Sequence, residues 1–414
     1  MFTMIPAQDL VMDIHGPLKN LRVIEIGDFI SVAYAGKLLA DLGAEVIKIE
    51  KPKIGDSLRS HGPFPKDIPH IEKSGLHLFL NTNKKSVTLD LATQDGQDLL
   101  ISAAADVDLV ISNLSLEDLT NERLNYESLS EHNDMLVMSS ITIFGYDTPY
   151  RDWAGTALTA TAASGASMKI GSPDKVPLWL PYCAADFQGG IHGAIAALLA
   201  LRKKRQLNQG LHAWISVVEV MASYLGGSGV PGFVFQGVLG SRDGTHRSGF
   251  YPWQVTPASD GFVEVITMVD EQWKRFINLM DNPDWADDPR LSNRWLSFEW
   301  HKELDAFWHP WMKGKTRSEL FKLFSENRIP FQPVNKVNEI IESKHLALRD
   351  FWHEIEHPVA GSYKIPGAPY LFSETPWTVY RPAPQLGEHN EEFFKTRLGL
   401  TTSERSNLTT LGII

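Results

Sequence analysis

One carboxylate stands at the start of a long apolar segment, within the stretch YCAADFQGGIHGAIAALLALRKKR at 182–205. Asp186 precedes a run rich in Ala and Leu, and Gly189 and Gly190 follow it closely. The run predicts a helix that continues to about Arg205. Aspartate is a preferred N-cap residue, because its carboxylate accepts hydrogen bonds from the first free N–H groups of a helix. The pattern by itself therefore favours a structural cap at Asp186.

A second interpretation of the same geometry makes Asp186 a covalent nucleophile. The positive end of a helix dipole keeps a carboxylate ionised, and Gly189 and Gly190 remove side chains that would block a bulky electrophile. Nearby backbone N–H groups can stabilise the oxyanion that forms on attack. An ionised, accessible carboxylate can therefore attack a thioester and form a mixed acyl anhydride. It needs no histidine base, because it is already anionic.

Other catalytic chemistries have weaker support. The turn after the first predicted strand, GDFISVAYAG at 27–36, lacks the G-x-G-x-x-G spacing that lets a backbone contact a pyrophosphate. No G-x-x-x-x-G-K-[ST] loop occurs, and the scattered histidines predict no metal site. Cys183 is the one cysteine. A small buried thiol is the commoner role for such a residue, and a chain without disulfides fits a reducing compartment.

The composition is that of a soluble, acidic chain. Its 414 residues carry a formal net charge of −11, and 43% of them are hydrophobic. Non-specific nucleic-acid binders are normally basic, so we expect no nucleic-acid partner. The chain has neither an apolar run of about 18 residues nor a signal-peptide pattern, which predicts a cytoplasmic protein without a membrane partner. Local cations that an anionic substrate would need occur at Lys48, Lys51, Lys53, Lys84, Lys85 and Arg202 to Arg205.

Short β-branched runs alternate with helical patterns over roughly the first 150 residues. This alternation is typical of βαβ units and predicts a doubly wound α/β layer with parallel strands. The predicted strands lie at 21–27, 44–50, 86–91, 108–113 and 136–144. The predicted helices lie at 32–42, 93–107 and 126–133.

The chain changes character after residue 224. Residues 225–249 are rich in glycine and predict a flexible linker or flap instead of the interior of an element. Residues 250–335 predict a smaller α+β domain, in which packing explains the many tryptophans better than ligand stacking. Residues 336–414 then return to complete the large domain that begins with 1–224.

Four blocks of the sequence together resemble one known family. They are LKNLRVIEIGDFISVAYAGKLLADLGAEVIKIEKPKIGDSLR, NTNKKSVTLDL, ADFQGGIHGAIAALLALRKKRQLNQG and LGEH. The family is that of the class III CoA-transferases, which includes formyl-CoA transferase and carnitine CoA-transferase, with α-methylacyl-CoA racemase as a relative. The resemblance runs from about Gly16 to Leu400 and implies a Rossmann-like doubly wound large domain and a smaller α+β domain, in an interlocked homodimer.

The resemblance also implies a reaction. Asp186 matches the family's nucleophile, which takes the acyl group of a CoA thioester as an anhydride before a carboxylic acid takes it over. CoA thiolate then returns to the acyl carbon of that acceptor. CoA is thus a substrate, and no tightly bound cofactor is expected. The positions that match the family's CoA contacts are Lys51, Leu89, Asn113, Leu114 and Arg123.

Some of these positions also fit ordinary structural roles. From the residues alone, Lys51 is more typical of a solvated surface lysine and Asn113 of a turn. Arg242, His246 and Arg247 could hold an acceptor carboxylate on a flap, and a solvated basic loop explains them equally well. Lys84 and Lys85 are more typical of a solvated charge pair.

Two alternatives to transfer stay open. Racemases of this fold carry a catalytic histidine where this chain has Thr156, and racemisation needs two proton-transfer groups, which favours transfer. An acyl-CoA racemase or isomerase with an unidentified partner group is therefore the first alternative. A catalytically silent CoA-binding protein is the second.

Overall fold

The computed structural model describes residues 16–227 and 229–414. These residues form two compact units. The large unit holds residues 16–164, Leu180–Gly226 and Leu348–Ile414, and the small unit holds Gly165–Trp179, Gly227 and residues 229–347. The domain limits inferred from the sequence stay a prediction.

A six-stranded parallel sheet forms the centre of the large unit. Its strands are β1 (Arg22–Ile26), β2 (Glu45–Glu50), β3 (Lys85–Thr88), β4 (Leu109–Ser112), β5 (Val137–Thr142) and β6 (Leu211–Ser216). Their order across the sheet is β3-β2-β1-β4-β5-β6, so the chain reverses its direction of travel between β1 and β4. This is the doubly wound arrangement, and the predicted α/β class is confirmed.

Eight helices of the large unit connect and cover these strands in the described part of the chain. They are α1 (Ile30–Ala40), α2 (Gly75–Leu80), α3 (Gln94–Ala104), α4 (Leu116–Asn121), α5 (Tyr126–Ser130), α6 (Ala157–Ala163), α7 (Ala184–Leu207) and α8 (Val217–Ser223). Single 3₁₀ turns lie at Ser57–Ser60, Pro65–Asp67 and Tyr224–Gly227. Helices α1, α3, α5 and α7 form where the sequence predicts helices.

The small unit is an antiparallel sheet with helices, in the order β7-β8-β9. Its elements are β7 (Trp253–Ala258), β8 (Gly261–Ile266), β9 (Phe331–Pro333), α9 (Gly229–Gln236), α10 (Asp270–Asn278), α11 (His301–Lys313), α12 (Arg317–Glu326), α13 (Val337–Ile341) and α14 (Lys344–Leu348). Its 3₁₀ turns are Ala166–Lys169, Asp284–Asp287, Pro289–Leu291 and Ser297–Trp300. Trp308, Phe276 and Phe324 are fully buried in its core, as the packing interpretation of the aromatic residues predicts.

Helix α9 corrects one prediction. The sequence predicts no element interior at 225–249, yet Gly229–Gln236 is helical. The apolar run inside it forms one short helix, and Gly237, at φ 69°, follows it in the left-handed conformation that commonly ends helices.

The C-terminal segment adds a hairpin and two helices to the large unit. These are β10 (Trp352–His357), β11 (Gly361–Pro366), a π-helix at Glu392–Arg397 and α15 (Thr402–Thr410). Phe393 and Phe394 are buried in the same apolar cluster as Ile24 and Val110 of the parallel sheet. The end of the chain is therefore part of the core that its beginning forms.

Two consecutive glycines of α7 allow it to pack closely on α1 and on α8. A Cβ built at Gly190 would lie 2.6 Å from the carbonyl oxygen of Ser31, and one built at Gly189 would lie 2.8 Å from Val217 Cγ2. Helix α7 packs more extensively on α1 than on any other described element of the large unit. Because α1 begins right after the β1 loop, this contact brings the first turn of α7 to that loop.

Helix α7 is also long and apolar enough, by composition, to cross a membrane. The core helix of a soluble protein passes the same test. Since α7 packs against α1, β5 and β6, we describe it as a core helix of the large unit.

Gly190→Ala should destabilise the large unit, although Ala in a helix interior is normally more stable than Gly by about 0.5–1 kcal/mol. The added Cβ would press on the Ser31 carbonyl, which is backbone of α1 and moves only if the helix moves. We expect the free energy of unfolding to fall by about 1–3 kcal/mol, as measured by urea denaturation.

Gly226→Ala is the matched control, because no described atom lies within 4 Å of a Cβ built at Gly226. Its effect should stay within about 0.5 kcal/mol. Unchanged or increased stability of Gly190→Ala would contradict the close contact between α1 and α7.

Candidate functional site

A cavity of about 300 Å³ lies in the large unit at the carboxyl ends of β1, β4 and β5. In doubly wound sheets this edge, where the strand order reverses, is where ligands bind. The loop after β1, the residue after β4, the segment after β5 and the first turn of α7 all line the cavity. The side chains used below are Asp28, Phe29, Ser31, Asn113, Phe144, Arg151, Trp153, Thr156 and Asp186.

Asp186 enters this cavity from the first turn of α7, and the structure corrects its predicted role as N-cap. The N-cap residue is Cys183, and Asp186 is the third residue of the helix. Tyr182 and Cys183 both have positive φ, at 56° and 54°. Left-handed conformations cost non-glycine residues roughly 1–2 kcal/mol each, and such strain tends to occur at functional sites. Here it turns the chain sharply so that Asp186 faces the cavity.

The Asp186 carboxylate is poorly solvated and unpaired. The residue is 8% exposed, and burial raises its pKa to about 6. Within the described residues, no donor or cation contacts its oxygens. From the sequence we expect the helix dipole to favour the ionised form of Asp186. In the structure, burial disfavours the ionised form by raising the pKa. Above pH 6 the carboxylate is therefore ionised, and no described cation neutralises its charge. This makes it a reactive nucleophile.

The loop after β1 forms the facing wall and is held by Asn113. The Asn113 side chain donates from Nδ2 to the Asp28 carbonyl at 2.6 Å and to Ser31 Oγ at 3.0 Å. Its Oδ1 accepts from the Asp28 N–H at 2.9 Å. Both amide hydrogens are thus used to fix the loop. These hydrogen bonds show that Asn113 stabilises the loop. A contact of Asn113 with CoA stays a prediction.

Phe29 in this loop has a strained backbone, with φ 66° and ψ −151°. Its N–H donates to Asp56 Oδ1 at 3.1 Å, and Asp56 in turn forms an ion pair with the buried Lys48 at 2.5 Å. Burial raises the pKa of Asp56 to about 6 despite Lys48. The strained loop is therefore anchored to a buried charge.

A buried ion network extends from Lys48 under the loop. Lys48 and Lys84 each contact Glu25 at 2.7 Å, and all three side chains are almost fully buried. Burial alone would raise the pKa of Glu25, but the two lysines hold it below its ordinary value. The prediction of a solvated pair is therefore wrong for Lys84. Neither Lys84 nor Lys48 is available to an anionic substrate.

Arg151 is the cavity residue that the sequence analysis missed. Arg151 lines the cavity with Asp186, although 35 positions separate the two in the sequence. No motif marks it, because it lies in the irregular segment after β5. Its place in the cavity can be recognised only in the folded structure, where the ends of the strands lie side by side.

The predicted CoA contacts lie on the large unit in different surroundings. Lys51 is exposed just after β2, whereas the Leu89 side chain is buried in the core and can offer only its backbone. Leu114 packs partly against the same core. Arg123 is paired with Asp98 at 2.6 Å. Of these residues only Asn113 lines the cavity, and the role of all of them toward CoA stays a prediction.

Gly189 and Gly190 face protein and not open space. Val217, Ile141, Ser31 and Tyr34 occupy the positions that their side chains would fill. The two glycines thus allow α7 to approach α1 and α8 closely. Their predicted role toward a bulky substrate stays a prediction.

The three predicted acceptor contacts belong to the small unit. Arg242 donates to the carbonyls of Ser172, Pro173 and Lys175. His246 Nε2 pairs with Asp305 Oδ2 at 2.8 Å, and the Arg247 guanidinium lies 4.4 Å from the centre of the Trp253 ring. Their role as an acceptor site stays a prediction.

One further motif needs a structural test. HEIEH at 353–357 matches the H-E-x-x-H pattern of zinc enzymes, a motif that the sequence analysis overlooked when it predicted no metal site. It lies on β10, where residues four apart are separated by about 13 Å. His357 Nδ1 accepts the N–H groups of Val359 and Ala360. Among the described residues, no group of three or more His, Cys, Asp or Glu is arranged to hold a metal ion.

Comparison with known sequences identifies one family. A sequence model described as CoA-transferase family III matches residues 18–390. Succinyl-CoA–D-citramalate CoA-transferase of Chloroflexus aurantiacus is 32% identical over 396 residues, covering 95% of this chain and 96% of that protein. Succinate–glutarate CoA-transferase of Agrobacterium fabrum is 29% identical, covering 91% and 94%. Human succinyl-CoA:glutarate CoA-transferase is 25% identical, covering 96% and 90%.

Solved structures agree on the fold. A CaiB/BaiF family protein from Brucella suis superposes with a TM-score of 0.82 at 26% identity, covering 93% of this chain and all of that one. Rv3272 from Mycobacterium tuberculosis has a TM-score of 0.79 at 23% identity, covering 91% and 99%.

Asp186→Asn should stabilise the protein above pH 6 and have little effect at pH 4. The folded chain raises the pKa of this carboxyl from 3.8 to about 6. Stability is therefore lost as the pH rises between these values, because the unfolded chain ionises first. The full loss, up to about 3 kcal/mol, persists above pH 6 and is relieved by the neutral amide. Urea denaturation at pH 4 and pH 8 measures the difference.

Asp95→Asn is the matched control, because Asp95 lies exposed in the first turn of α3. Neutralising it removes a favourable interaction with the helix N-terminus, so we expect a small loss of stability of about 0.3–1 kcal/mol at pH 8. Equal effects of the two substitutions would contradict the burial of an unpaired charge at Asp186.

Proposed function

The chain belongs to CoA-transferase family III and is a CoA-transferase, and we propose that it works through a covalent acyl anhydride on Asp186. The resemblance to class III CoA-transferases is thereby confirmed. Its substrates are an acyl-CoA and a carboxylic acid. The observation that carries the proposed mechanism is the nearly buried, unpaired Asp186 carboxylate in a cavity at the edge where the strand order reverses.

In the first chemical step an Asp186 oxygen attacks the thioester carbonyl carbon. A carbon–oxygen bond forms, the carbon–sulfur bond breaks, and CoA leaves as a thiolate. No proton has to be removed from the nucleophile, since Asp186 is ionised above pH 6. The acceptor carboxylate then attacks the donor acyl carbon, which breaks its bond to Asp186 and leaves an anhydride between donor and acceptor. CoA thiolate attacks the acceptor carbonyl carbon of this anhydride. A carbon–sulfur bond forms, the carbon–oxygen bond to the donor breaks, and the donor leaves as a free carboxylate.

Two features of the site favour this reaction over hydrolysis and racemisation. Burial removes water around Asp186, which raises the energy of the free carboxylate and limits attack of water on an anhydride. At the position where related racemases carry histidine, Thr156 lines the cavity, and threonine does not exchange protons at neutral pH. Among the described residues that line the cavity there is no histidine or lysine, and the pKa of Asp28 is held below its ordinary value, so no second group there is suited to donate a proton near neutral pH.

The named relatives suggest the donor. They are succinyl-CoA or succinate CoA-transferases, and we propose succinyl-CoA or a close dicarboxylic analogue as the donor here. Lys51 is the exposed cation best suited to a CoA phosphate, with Leu89 and Leu114 offering backbone groups. We further propose Arg123 as a nucleotide contact and Arg242, His246 and Arg247 as acceptor contacts. A cytoplasmic, interlocked homodimer completes the proposal, and light scattering of the purified protein tests the dimer.

Asp186→Ala should reduce CoA transfer by at least about 10³-fold, because the nucleophile is lost and Asp28, the other carboxylate of the cavity, is hydrogen-bonded to the Ser57 N–H. Incubation of the native protein with succinyl-CoA and hydroxylamine should convert Asp186 into a hydroxamate that mass spectrometry locates. Asp95→Ala, tested identically, should keep full activity and give no adduct at residue 95.

Three outcomes separate this mechanism from its alternatives. Native turnover in Asp186→Ala contradicts the nucleophile. Entry of solvent deuterium at the α-carbon without exchange of CoA between acids indicates racemisation. Binding of succinyl-CoA with neither reaction indicates a silent CoA-binding protein.

The kcat/KM for transfer should increase with pH through about 6, because kcat/KM reports the pKa of the free enzyme. Only the ionised Asp186 attacks, and burial raises its pKa to about 6, so below that value kcat/KM should fall about tenfold per pH unit. Initial rates between pH 4.5 and 8 measure this at pH values where circular dichroism shows the protein folded. A kcat/KM independent of pH across this range would contradict attack by Asp186.

A further inference from the structure

The charges that line the Asp186 cavity are unbalanced. Asp28 and Asp186 supply two carboxylates, and Arg151 is the one Lys, Arg or His side chain among the described residues of the lining. Burial alone would raise the pKa of Asp28, but the hydrogen bond from the Ser57 N–H and the charge of Lys48 hold it below its ordinary value. Asp28 is thus ionised. A ligand carboxylate would be a third anion in this cavity, and it would enter against repulsion unless Arg151 compensated for its charge.

The Arg151 guanidinium is available to a ligand. Its side chain is 54% exposed, and its Nε lies 3.3 Å from Asp152 Oδ2. No described acceptor engages Nη1 or Nη2, the pair of groups that binds carboxylates in a bidentate manner. The neighbouring Asp152 is itself about half exposed, and such an exposed pair is weak. A ligand carboxylate can therefore bind without breaking a strong internal ion pair.

The turn that carries Arg151 is ordered by aromatic contacts. The Trp153 N–H donates to the Tyr150 carbonyl at 2.9 Å. The Trp153 ring lies 4.4 Å from that of Tyr150 and 6.3 Å from that of Phe144. Phe144 and Trp153 also line the cavity. Arg151 thus extends from a turn that is packed on the cavity wall, and not from an isolated loop.

We propose that Arg151 binds the distal carboxylate of a dicarboxylic acyl group whose thioester carbon lies at Asp186. This inference rests on the proposed function, and it adds the residue that makes the enzyme select dicarboxylic over monocarboxylic acyl groups. The cavity of about 300 Å³ has room for on the order of ten water-sized groups at ~30 Å³ each. That suits a four- or five-carbon acyl chain with its carboxylate. The rest of CoA must lie outside the cavity.

The test compares two thioesters that differ in the distal carboxylate alone, succinyl-CoA and butyryl-CoA. In Arg151→Gln, kcat/KM for succinyl-CoA should fall on the order of 10- to 100-fold, mainly through KM, because a charge-assisted hydrogen bond is lost. The kcat/KM for butyryl-CoA should stay the same or increase. Arg349→Gln, at an exposed arginine of the large unit that lies outside the cavity lining, is the matched control and should change neither value.

A second measurement separates this proposal from the proposed function. In an Asp186→Asn background, which cannot form the anhydride, calorimetry compares the binding of succinyl-CoA and butyryl-CoA with and without Arg151→Gln. Weaker binding of succinyl-CoA alone supports the role of Arg151 even if the native protein transfers no CoA. Equal weakening of both thioesters would place Arg151 on the CoA phosphates or in a structural role and overturn the proposal. No change in either would overturn it as well.

Discussion

The contact between α7 and α1 sets the geometry on which the rest of the site depends. Gly190 places the backbone of α7 directly against the Ser31 carbonyl of α1. Helix α1 starts at the loop after β1, and α7 starts with the turn that contains Asp186. When the two helices touch without intervening side chains, the beginning of each lies at the edge where the strand order reverses. The nucleophile and its facing wall are thereby brought to one cavity.

The charged side chains in this region are of two kinds, those that form buried ion pairs and one that has no described partner. Under the loop, Glu25 and Asp56 together neutralise Lys48 and Lys84 in near-complete burial. Such networks are costly to break, because a lost partner leaves an unpaired buried charge, and this one holds the strained Phe29 through Asp56. Asp186, by contrast, has no described partner. The unpaired charge of Asp186 lowers the stability of the folded protein, but the proposed reaction requires it. Such requirements are a common reason why stability and activity conflict.

The negative charge of the cavity is the reason why Arg151 matters for substrate binding. A cavity with two ionised carboxylates should reject dicarboxylic acyl groups, yet the relatives of this chain are named for succinyl-CoA or succinate. The proposed reversal of that preference depends on one guanidinium whose Nη1 and Nη2 groups have no described acceptor. The selectivity we propose therefore comes from a single cation among two carboxylates.

The sequence by itself determined the alternation of strands and helices, the α/β class, the helix that carries Asp186 and the family. These depend on periodicity and on short motifs, which local physics sets. It failed for Asp186 as an N-cap, for Lys84 as a solvated lysine and for Arg151, which it did not mark. Only the tertiary structure decided these, because burial, ion pairing and the lining of a cavity depend on residues that are distant in sequence. Asp28, Asn113, Arg151 and Asp186 meet only when the ends of the parallel strands come together.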